Sequence, residues 1–410
     1  MESDTLDAAP LTVGDLEGSE NPLARHYSRF RVSERILLSG HSHQAWPDCA
    51  FEGQMKAWAD AADWVDKKWD RAFQKADRVR LGYRKLLDDP SGMYSLAEST
   101  FDLLVRLISA LPLRDRPKLV STDSEFYSLR RLLSRLQEEG IELVRVPAEP
   151  AESVGRRLAA ATDDRTAMVL TSTVFFTNAR IAGDLDRAAQ ACRTHGALLL
   201  LDVYHQLNVI PASLRAADLE DAYVVTAGYK YCQLGEGNAI LRFPDDCSLR
   251  PIATGWFAEF GRLTEEAEPG RVAYNAGEDR FAGATYDPTS HYRAAEVFDF
   301  FEEQHLDANR LREISQHQVG LLCRRFDALD LSPDVIRRDR DAPLEQIGGF
   351  LALRSPHAGP LHERLLEHRV FTDYRGQILR LGPAPYLCDD QLIEAMDLLG
   401  ELARDLPDPR

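Results

Sequence analysis

Residues 221–243 read DAYVVTAGYKYCQLGEGNAILRF and contain two apolar, β-branched runs, at 222–227 and 238–243. Runs of this length and composition predict two buried strands. Between the runs lie Lys230 and a glycine-rich turn. A lysine at the end of a buried strand is costly unless its amine is paired, deprotonated or covalently bound.

Lysine is scarce in this chain. Seven lysines occur, and Lys230 is the only one beyond residue 118. The chain otherwise uses arginine, which cannot lose its proton in a protein, whereas a buried lysine can. This choice indicates an amine with a chemical task, such as the imine that lysine forms with pyridoxal phosphate. The alternative is a lysine whose stem follows the strand end and whose ammonium lies in water, and this stretch alone leaves both interpretations open.

Composition limits the class of protein. The chain has 410 residues, of which 44% are hydrophobic and 28% charged. This length exceeds what a single core usually fills, so we expect two domains. The net charge of −17 argues against a nucleic-acid-binding surface and against docking on an anionic membrane. It leaves room for a local arginine site that binds a small anion.

Targeting and metal-binding signals are also missing from the sequence. No apolar run approaches the roughly 20 residues that span a bilayer. Residues 1–22 are acidic and lack the regions of a signal peptide. The six cysteines have no metal-like spacing, and His41 and His43 have no third ligand nearby. We therefore expect a cytoplasmic protein with reduced thiols, no bound metal and no membrane or nucleic-acid partner.

Short apolar runs alternate with helical patterns from residue 93 to residue 202. The predicted strands are 93–96, 118–121, 141–146, 167–172 and 197–201. This alternation predicts an α/β fold with a mainly parallel sheet that helices cover on both faces. Functional sites in such sheets lie at the carboxyl ends of the strands. Asp202, Lys230 and the turn at 97–100 all fall at such ends.

The pattern changes after about residue 285, where helices precede short strands. We predict an N-terminal arm and small-domain segment at 1–45, a large cofactor-binding domain at 46–285 and a smaller C-terminal α+β domain at 286–410. Residues 1 to about 30 are expected to be loosely ordered or packed on a partner.

Asp202 directly follows an all-apolar strand, 198–201. A buried aspartate needs a charged partner, and a protonated pyridine nitrogen is one. A helix N-cap or a structural ion pair is the alternative. Because Asp202 and Lys230 lie 28 positions apart, about one βα unit, we expect them on neighbouring or nearby strands.

Four motifs resemble the kynureninase branch of the class V aminotransferase superfamily, which has fold type I. They are DVYH at 202–205, GYKY at 228–231, GWF at 255–257 and RLGPAPY at 380–386. The resemblance runs in the family's order over most of the chain, from about residue 40 to residue 386. It implies a PLP-dependent transferase-like fold, a small-molecule amino-acid substrate and a homodimer with a shared active site.

The resemblance implies that Lys230 forms an aldimine with pyridoxal 5'-phosphate and then moves protons between substrate carbons. Asp202 would pair with the pyridine nitrogen, and His205 would support the cofactor from the same turn. Arg380 would grip the substrate α-carboxylate in a bidentate pair. His41 and Ser42 would line the substrate side.

Further cofactor contacts are implied by the same alignment of motifs. Ala97, Glu98 and Ser99 would cradle the phosphate, and the Tyr229 hydroxyl would bind it. Phe126 would contact the cofactor ring. Trp256 and Thr285 would reach the cofactor phosphate of the neighbouring subunit. Phe126 has an alternative interpretation, because an ordinary core phenylalanine would suit the same position.

The chain departs from kynureninases on the substrate side. It has His-Ser-His-Gln at 41–44, where they usually carry Asn-Ser-Leu-Gly, and Asp-Pro at 287–288, where they carry Asn-Pro. We therefore predict a PLP-dependent lyase that acts at the β-carbon of an amino acid. The bond cleaved is Cβ–Cγ, as in kynurenine, or Cβ–S of a cysteine S-conjugate.

Other functions stay open at this stage. The first is a class V aminotransferase acting on a small amino acid in secondary metabolism. Cysteine desulfurase ranks lower, because residues 368–380 contain no cysteine before the carboxylate-binding arginine. A non-enzymatic protein on the same fold is a further alternative.

Overall fold

The computed structural model describes residues 10–264 and 269–406. Its strands are β1 (Ile36–Leu37), β2 (Met93–Ala97), β3 (Lys118–Thr122), β4 (Glu142–Val146), β5 (Thr166–Ser172), β6 (Leu198–Asp202), β7 (Tyr223–Ala227), β8 (Ala239–Phe243), β9 (Arg337–Arg338), β10 (Leu351–Arg354), β11 (Val370–Phe371), β12 (Asp373–Arg375) and β13 (Ile378–Leu381). Its α-helices are α1 (Cys49–Trp64), α2 (Lys68–Leu86), α3 (Thr100–Ser109), α4 (Tyr127–Glu138), α5 (Val154–Ala161), α6 (Leu185–His195), α7 (Thr289–Glu303), α8 (Ala308–Ala328), α9 (Ala358–Glu367) and α10 (Asp389–Arg404).

The central sheet has seven strands in the order β2-β8-β7-β6-β5-β3-β4. Strands β4, β3, β5, β6 and β7 run parallel, and β8 is antiparallel to both of its neighbours. The carboxyl ends of the parallel strands therefore meet at one edge of the sheet, which is where sites of this architecture lie. Ser172 pairs with Asp202, and Asp202 pairs with Val225, so β5 and β6 end together and β7 continues two residues further.

Helices cover both faces of this sheet, as the alternation predicts. Leucines of α3 and α4 pack on the face that includes Leu200 and Val225. Helices α5 and α6 pack on the face that includes Leu199, Leu201 and Val224. Side chains of a strand alternate between the two faces, and both sets are apolar because both faces are buried. The predicted fold class is confirmed by this arrangement.

The two strands predicted at 222–227 and 238–243 are β7 and β8. The loop between them turns at Gly235 and Gly237, whose φ angles are +67° and +87°. Residues with a Cβ atom rarely adopt this left-handed backbone conformation, so glycine suits both positions. A Cβ at Gly228 would lie 2.4 Å from the side chain of Leu234. The loop is therefore folded tightly around Lys230.

The C-terminal part contains a four-stranded antiparallel sheet in the order β12-β13-β10-β9. Its strands are two to four residues long, in line with the short strands that the pattern after residue 285 predicts. A separate parallel pair joins β1 to β11. The predicted domain boundaries at 45 and 285 stay a prediction.

Residues 10–30 pack against the chain's own core. Leu16 and Tyr27 are fully buried, and the Tyr27 hydroxyl donates to Gln233 Oε1 at 2.5 Å. The expectation of loose order does not hold for these residues, because their apolar side chains are buried in the core, whereas the expected packing on a partner stays a prediction. Residues 1–9 lie outside the described residues. In the described part of the chain, no helix combines the length and apolarity that crossing a membrane requires.

Candidate active site

A cavity opens at the carboxyl ends of β5, β6 and β7, where the sheet topology places a site. Five residues named from the sequence line it: Phe126, Asp202, His205, Tyr229 and Lys230. Its other walls include Thr100, Ser128, Ser172, Phe176 and Tyr204. Asp202 ends β6, and Lys230 follows the neighbouring strand β7, as their spacing predicts.

Lys230 is the cation of the cavity. It is 7% exposed, and its Nζ lies 2.8 Å from His205 Nε2. The ring centroids of Tyr204 and Phe126 lie 5.1 and 5.6 Å from the same atom. Burial lowers the pKa of Lys230 to about 7, although attraction to Asp202 opposes the shift. The amine can therefore be neutral near physiological pH, which a nucleophile or base requires.

Asp202 is the anion of the same cavity. Its Oδ1 accepts a hydrogen bond from the Tyr204 backbone N–H at 3.0 Å. Burial raises the pKa of Asp202 to about 6, and the Tyr204 N–H and the charge of Lys230 work against that shift. The opposite charges of Asp202 and Lys230 each favour the charged form of the other.

His205 is the hydrogen-bond partner of Lys230. Its Nδ1 has no hydrogen-bond partner among the described residues. Burial lowers the pKa of His205 well below its usual range, with a further contribution from the charge of Lys230. The imidazole is therefore neutral, and a Lys230 N–H can donate to Nε2 when Nδ1 carries the proton.

His41 and Ser42 do not line the cavity. His41 is fully buried, its ring stacks on Phe350 at 4.6 Å, and it lies nearly parallel to His205 at 6.4 Å. Within residues 10–264 and 269–406, neither ring nitrogen of His41 has a partner. Ser42 is half-buried, and its Oγ lies 3.3 Å from His43 Nδ1. Their predicted contact with substrate stays a prediction.

The predicted phosphate cradle is the N-terminus of α3. Ser99 is the N-cap, and its Oγ accepts from the Asp102 N–H at 3.3 Å and lies 2.7 Å from Asp102 Oδ2. The next residue, Thr100, lines the cavity, and its Oγ1 lies 3.3 Å from the Tyr204 hydroxyl. A helix N-terminus favours an anion. Ala97 and exposed Glu98 instead line a neighbouring groove.

Arg380 is 2% exposed and lies on β13. Its Nη1 donates to the Phe176 carbonyl and its Nη2 to Asp373 Oδ2, both at 2.8 Å. A guanidinium has five N–H donors, and Nε has no partner among the described residues, so donors remain for a substrate carboxylate. The other carboxylate oxygen of Asp373 accepts from Arg375 at 2.7 Å. The sequence analysis missed this arginine-bridging aspartate.

Glu125 is a second buried carboxylate that sequence reasoning missed. It accepts from the Thr122 hydroxyl at 2.6 Å and from the Ser172 hydroxyl at 2.7 Å. Burial raises the pKa of Glu125 to about 7, with a contribution from the charge of Asp202. No ion pair joins Glu125 to a lysine or arginine among the described residues. Its position just after β3 was the available signal, because the same reasoning identified Asp202.

Trp256 and Thr285 lie away from Lys230 within one chain. Trp256 is 44% exposed, and its ring packs on Phe257 at 4.5 Å and on Phe260 at 5.1 Å. Thr285 is exposed and lines the groove that also contains Ala97. The predicted contact of both residues with the cofactor of a second chain stays a prediction.

No family model matches the chain. It is 26% identical over 416 residues to a kynureninase from Burkholderia pseudomallei, covering 95% of this chain and 93% of the relative. Two structures of C-DES share the fold at 14% identity. One is a mutant with glycine covalently linked to the PLP cofactor (TM-score 0.78, covering 94% of this chain and 100% of that chain). The other is the cystine C–S lyase with its product cysteine persulfide (TM-score 0.77, 92% and 99%).

A cysteine desulfurase from Thermococcus onnurineus NA1 also has this fold (TM-score 0.78, 12% identity, covering 97% of this chain and 100% of that chain). The predicted resemblance to the kynureninase branch is therefore confirmed by sequence, and fold type I is confirmed by structure.

Proposed function

We propose that this protein is a pyridoxal-phosphate-dependent lyase that acts at the β-carbon of an amino acid. The observation that carries the proposal is the buried amine of Lys230. It lies 2.8 Å from a neutral His205 and beside the strand that ends in Asp202, and its pKa is lowered to about 7. The similarity to kynureninase, and the fold shared with a cystine C–S lyase, support the same reaction class.

The residues of the cavity suit pyridoxal phosphate. Lys230 would hold its carbonyl carbon, and Asp202 would hold its ring nitrogen protonated. The N-terminus of α3 and the Tyr229 hydroxyl would hold its phosphate, and Phe126 would contact its ring face. The unpartnered Nδ1 of His205 leaves a buried donor for a polar group of the ligand. When bound, this cofactor supplies a ring that takes up the electron pair released at the substrate α-carbon.

The chain's own residues then have separate tasks. Arg380 binds the α-carboxylate of the substrate through the donors that Asp373 and Phe176 leave free. Lys230 Nζ accepts the α-proton and can return it at another atom. Neutral His205 accepts an N–H from Lys230 and so orients the Nζ lone pair. The rings of Phe126 and Phe176, which are 5.4 Å apart, exclude water from this side.

The identity of the leaving group separates the candidate reactions. Among the residues described, the cavity walls include no cysteine, so the thiol that a desulfurase uses is not at hand. The aromatic wall accepts an apolar β-substituent attached through carbon or sulfur. Transamination, the second candidate, shares the first steps and differs in where Lys230 returns the proton.

The direct test is the absorption spectrum of the purified protein with pyridoxal phosphate. We expect a band near roughly 420 nm that Lys230→Ala abolishes. L-kynurenine, 3-hydroxykynurenine and a panel of cysteine S-conjugates are then added separately. Release of an anthranilate identifies C–C cleavage, release of pyruvate identifies C–S cleavage, and a 2-oxo acid that keeps the side chain identifies transamination. Absence of any band after adding the cofactor would overturn the proposal.

We also infer a cytoplasmic homodimer in which Trp256 and Thr285 reach the second chain's site. Exposed apolar side chains support an interface, among them Phe51, Met55 and Trp58 on one face of α1. Light scattering should give twice the chain mass of 46.1 kDa. A monomer that binds the cofactor at full strength would contradict the shared site.

A further inference from the structure

A second cavity, of about 240 Å³, lies beside the candidate active site. Its floor is apolar and includes Ile347, Phe350 and Ile378. Phe350 is shared with the active-site surroundings, because its ring stacks on His41 and lies 5.7 Å from the guanidinium of Arg380. The rim, in contrast, carries four arginines and a single aspartate: Arg180, Arg337, Arg338, Arg354 and Asp339.

The positive charge of this rim is only partly neutralised. Arg338 pairs with Asp327, and Arg180 pairs with Asp339 and Glu152. Arg337 and Arg354 form no ion pair among the residues that the structure describes. Each donates only a long hydrogen bond, Arg337 to the Pro333 carbonyl at 3.3 Å and Arg354 to Gln377 at 3.4 Å.

Strand pairing places these two arginines against each other. Arg337 on β9 lies directly opposite Arg354 on antiparallel β10. Like charges in this position destabilise a sheet unless an anion lies between them. The chain as a whole carries a net charge of −17, so a general excess of positive charge does not explain the pair.

Arg180 adds a buried donor on the cavity wall. The residue is nine-tenths buried, and its Nε has no hydrogen-bond partner in the described part of the chain. A buried N–H without a partner costs free energy, which a ligand oxygen would recover. The backbone of Arg180 is held by a β-bridge to Ile347 on the cavity floor.

The C-terminal sheet links this cavity to the substrate site. Arg380 pairs with Ala352, and Ile378 pairs with Arg354, so these four residues share one face of the sheet. Arg380 lies opposite Ala352, and Arg354 follows Ala352 by two residues on β10. Two residues span about 7 Å, so the arginine pair is displaced from Arg380 by this distance along the strand direction. An amino acid whose carboxylate binds Arg380 therefore has a second cationic site within reach of an extended β-substituent.

We propose that this cavity binds an anionic group, carboxylate or phosphate, on a small apolar body, with Arg337, Arg354 and Arg180 as its donors. The apolar floor takes the body, and the arginines take the charge. The anion is either the acidic end of the substrate's β-substituent, which rests on the proposed function, or a separate small acid, which does not.

Calorimetry on the holoenzyme tests the site without any turnover. The probes are inorganic phosphate and benzoate, and the variants are Arg337→Gln and Arg354→Gln, whose exposed side chains tolerate substitution. We expect each variant to weaken binding of at least one probe about tenfold. Arg215→Gln is the matched control, because Arg215 is also exposed but does not line this cavity, and its charged neighbour is Glu220. Undetectable binding by the wild-type protein, or equal binding by all variants, would overturn the proposal.

Two matched substrates distinguish an anion on the substrate from a separate acid. They are S-(2-carboxyethyl)-L-cysteine, which carries a carboxylate at its far end, and S-propyl-L-cysteine, which does not. If the cavity holds the substrate's far end, Arg354→Gln raises KM about tenfold for the acidic compound only. If it holds a separate acid, the variant loses binding of benzoate or phosphate while both KM values stay unchanged. A holoenzyme that forms its cofactor band yet shows none of these effects refutes the anion site and leaves the proposed function intact.

Discussion

The β7–β8 hairpin has a buried charge at each end, and the two ends differ in how completely that charge is satisfied. At one end, Arg242 pairs with Asp89, and both side chains are 1% exposed. At the other end, Lys230 contacts His205, beside Asp202. The second end lines the candidate active-site cavity.

The Arg242 end is saturated with hydrogen bonds. Two guanidinium nitrogens contact the two Asp89 oxygens at 2.7 and 2.9 Å, and the third donates to the carbonyls of Glu220 and Ala222. Asp89 also accepts from the hydroxyl of Tyr94. Every polar atom is satisfied, so the pair holds the hairpin in place and offers nothing to a ligand.

The Lys230 end is left unsatisfied. The pKa of Lys230 is lowered to about 7, that of Asp202 is raised to about 6, and His205 Nδ1 has no partner in the described chain. Perturbed pKa values and free donors in one cavity are typical of functional sites. Of these two buried charges, the one that lines the candidate site is the one whose hydrogen bonds are left incomplete.

Lys230→Ala should have the largest effect and should act on chemistry alone. We expect activity to fall about 10⁴-fold, equivalent to ~5.4 kcal/mol, because the proton acceptor is lost. The free energy of unfolding should stay equal or rise, because a costly buried amine is removed. Steady-state kinetics and urea unfolding measure the two quantities. A large loss of stability would place Lys230 in the same class as Arg242.

Arg242→Met should show the opposite pattern. Removing one member of a buried ion pair leaves Asp89 without its partner, which costs about 3–5 kcal/mol of unfolding free energy. The absorption band of the cofactor complex should survive in the folded fraction. Urea unfolding compared with Lys230→Ala gives the contrast, and Arg215→Gln serves as an exposed control. An unfolding free energy within error of wild type would show that the saturated end is dispensable.

Glu125→Gln should change how stability depends on pH. The folded pKa is raised to about 7 from 4.5, so the favourable contribution of Glu125 is complete below about pH 4.5 and is lost as pH rises through 7. This loss of unfolding free energy amounts to ~3 kcal/mol. Glutamine does not titrate, so the variant should lack this part of the pH dependence. Thermal unfolding of both proteins from pH 5 to 8 measures the difference. Parallel curves would mean that Glu125 is ionised throughout.

Asp373→Asn should have the smallest effect. It adds a third buried charge, that of Arg380, to the comparison between Arg242 and Lys230. Asp373 holds Arg380 and Arg375, so its neutralisation should loosen the guanidinium that we propose binds the substrate carboxylate. We expect KM to rise about tenfold, ~1.4 kcal/mol, with kcat changed less. Asp60→Asn is the matched control, because Asp60 on α1 is likewise the partner of an arginine, Arg71 on α2. An equal fall in kcat at unchanged KM would contradict a substrate-positioning role.

The sequence determined the architecture of the central sheet and the position of its site. Apolar runs of strand length, separated by helical periods, are typical of a parallel sheet, and the runs predicted for β5, β6 and β7 agree with the observed strands within one or two residues. The run predicted for β8 agrees equally well, although this strand is antiparallel to its neighbours. Polar residues directly after such runs must lie at the carboxyl edge. Chain order therefore predicts that Asp202 and Lys230 lie at that edge, as the structure has them.

Only the tertiary structure decided which groups are left without partners. A hydrogen bond or ion pair between segments far apart in the chain depends on sub-ångström packing that no local pattern encodes. The partnership of Asp373 with Arg380, the burial of Glu125 and the withdrawal of His41 behind Phe350 all arise this way. The opposed arginines 337 and 354 depend on the register of a two-residue strand, which is too short to leave a periodic signal.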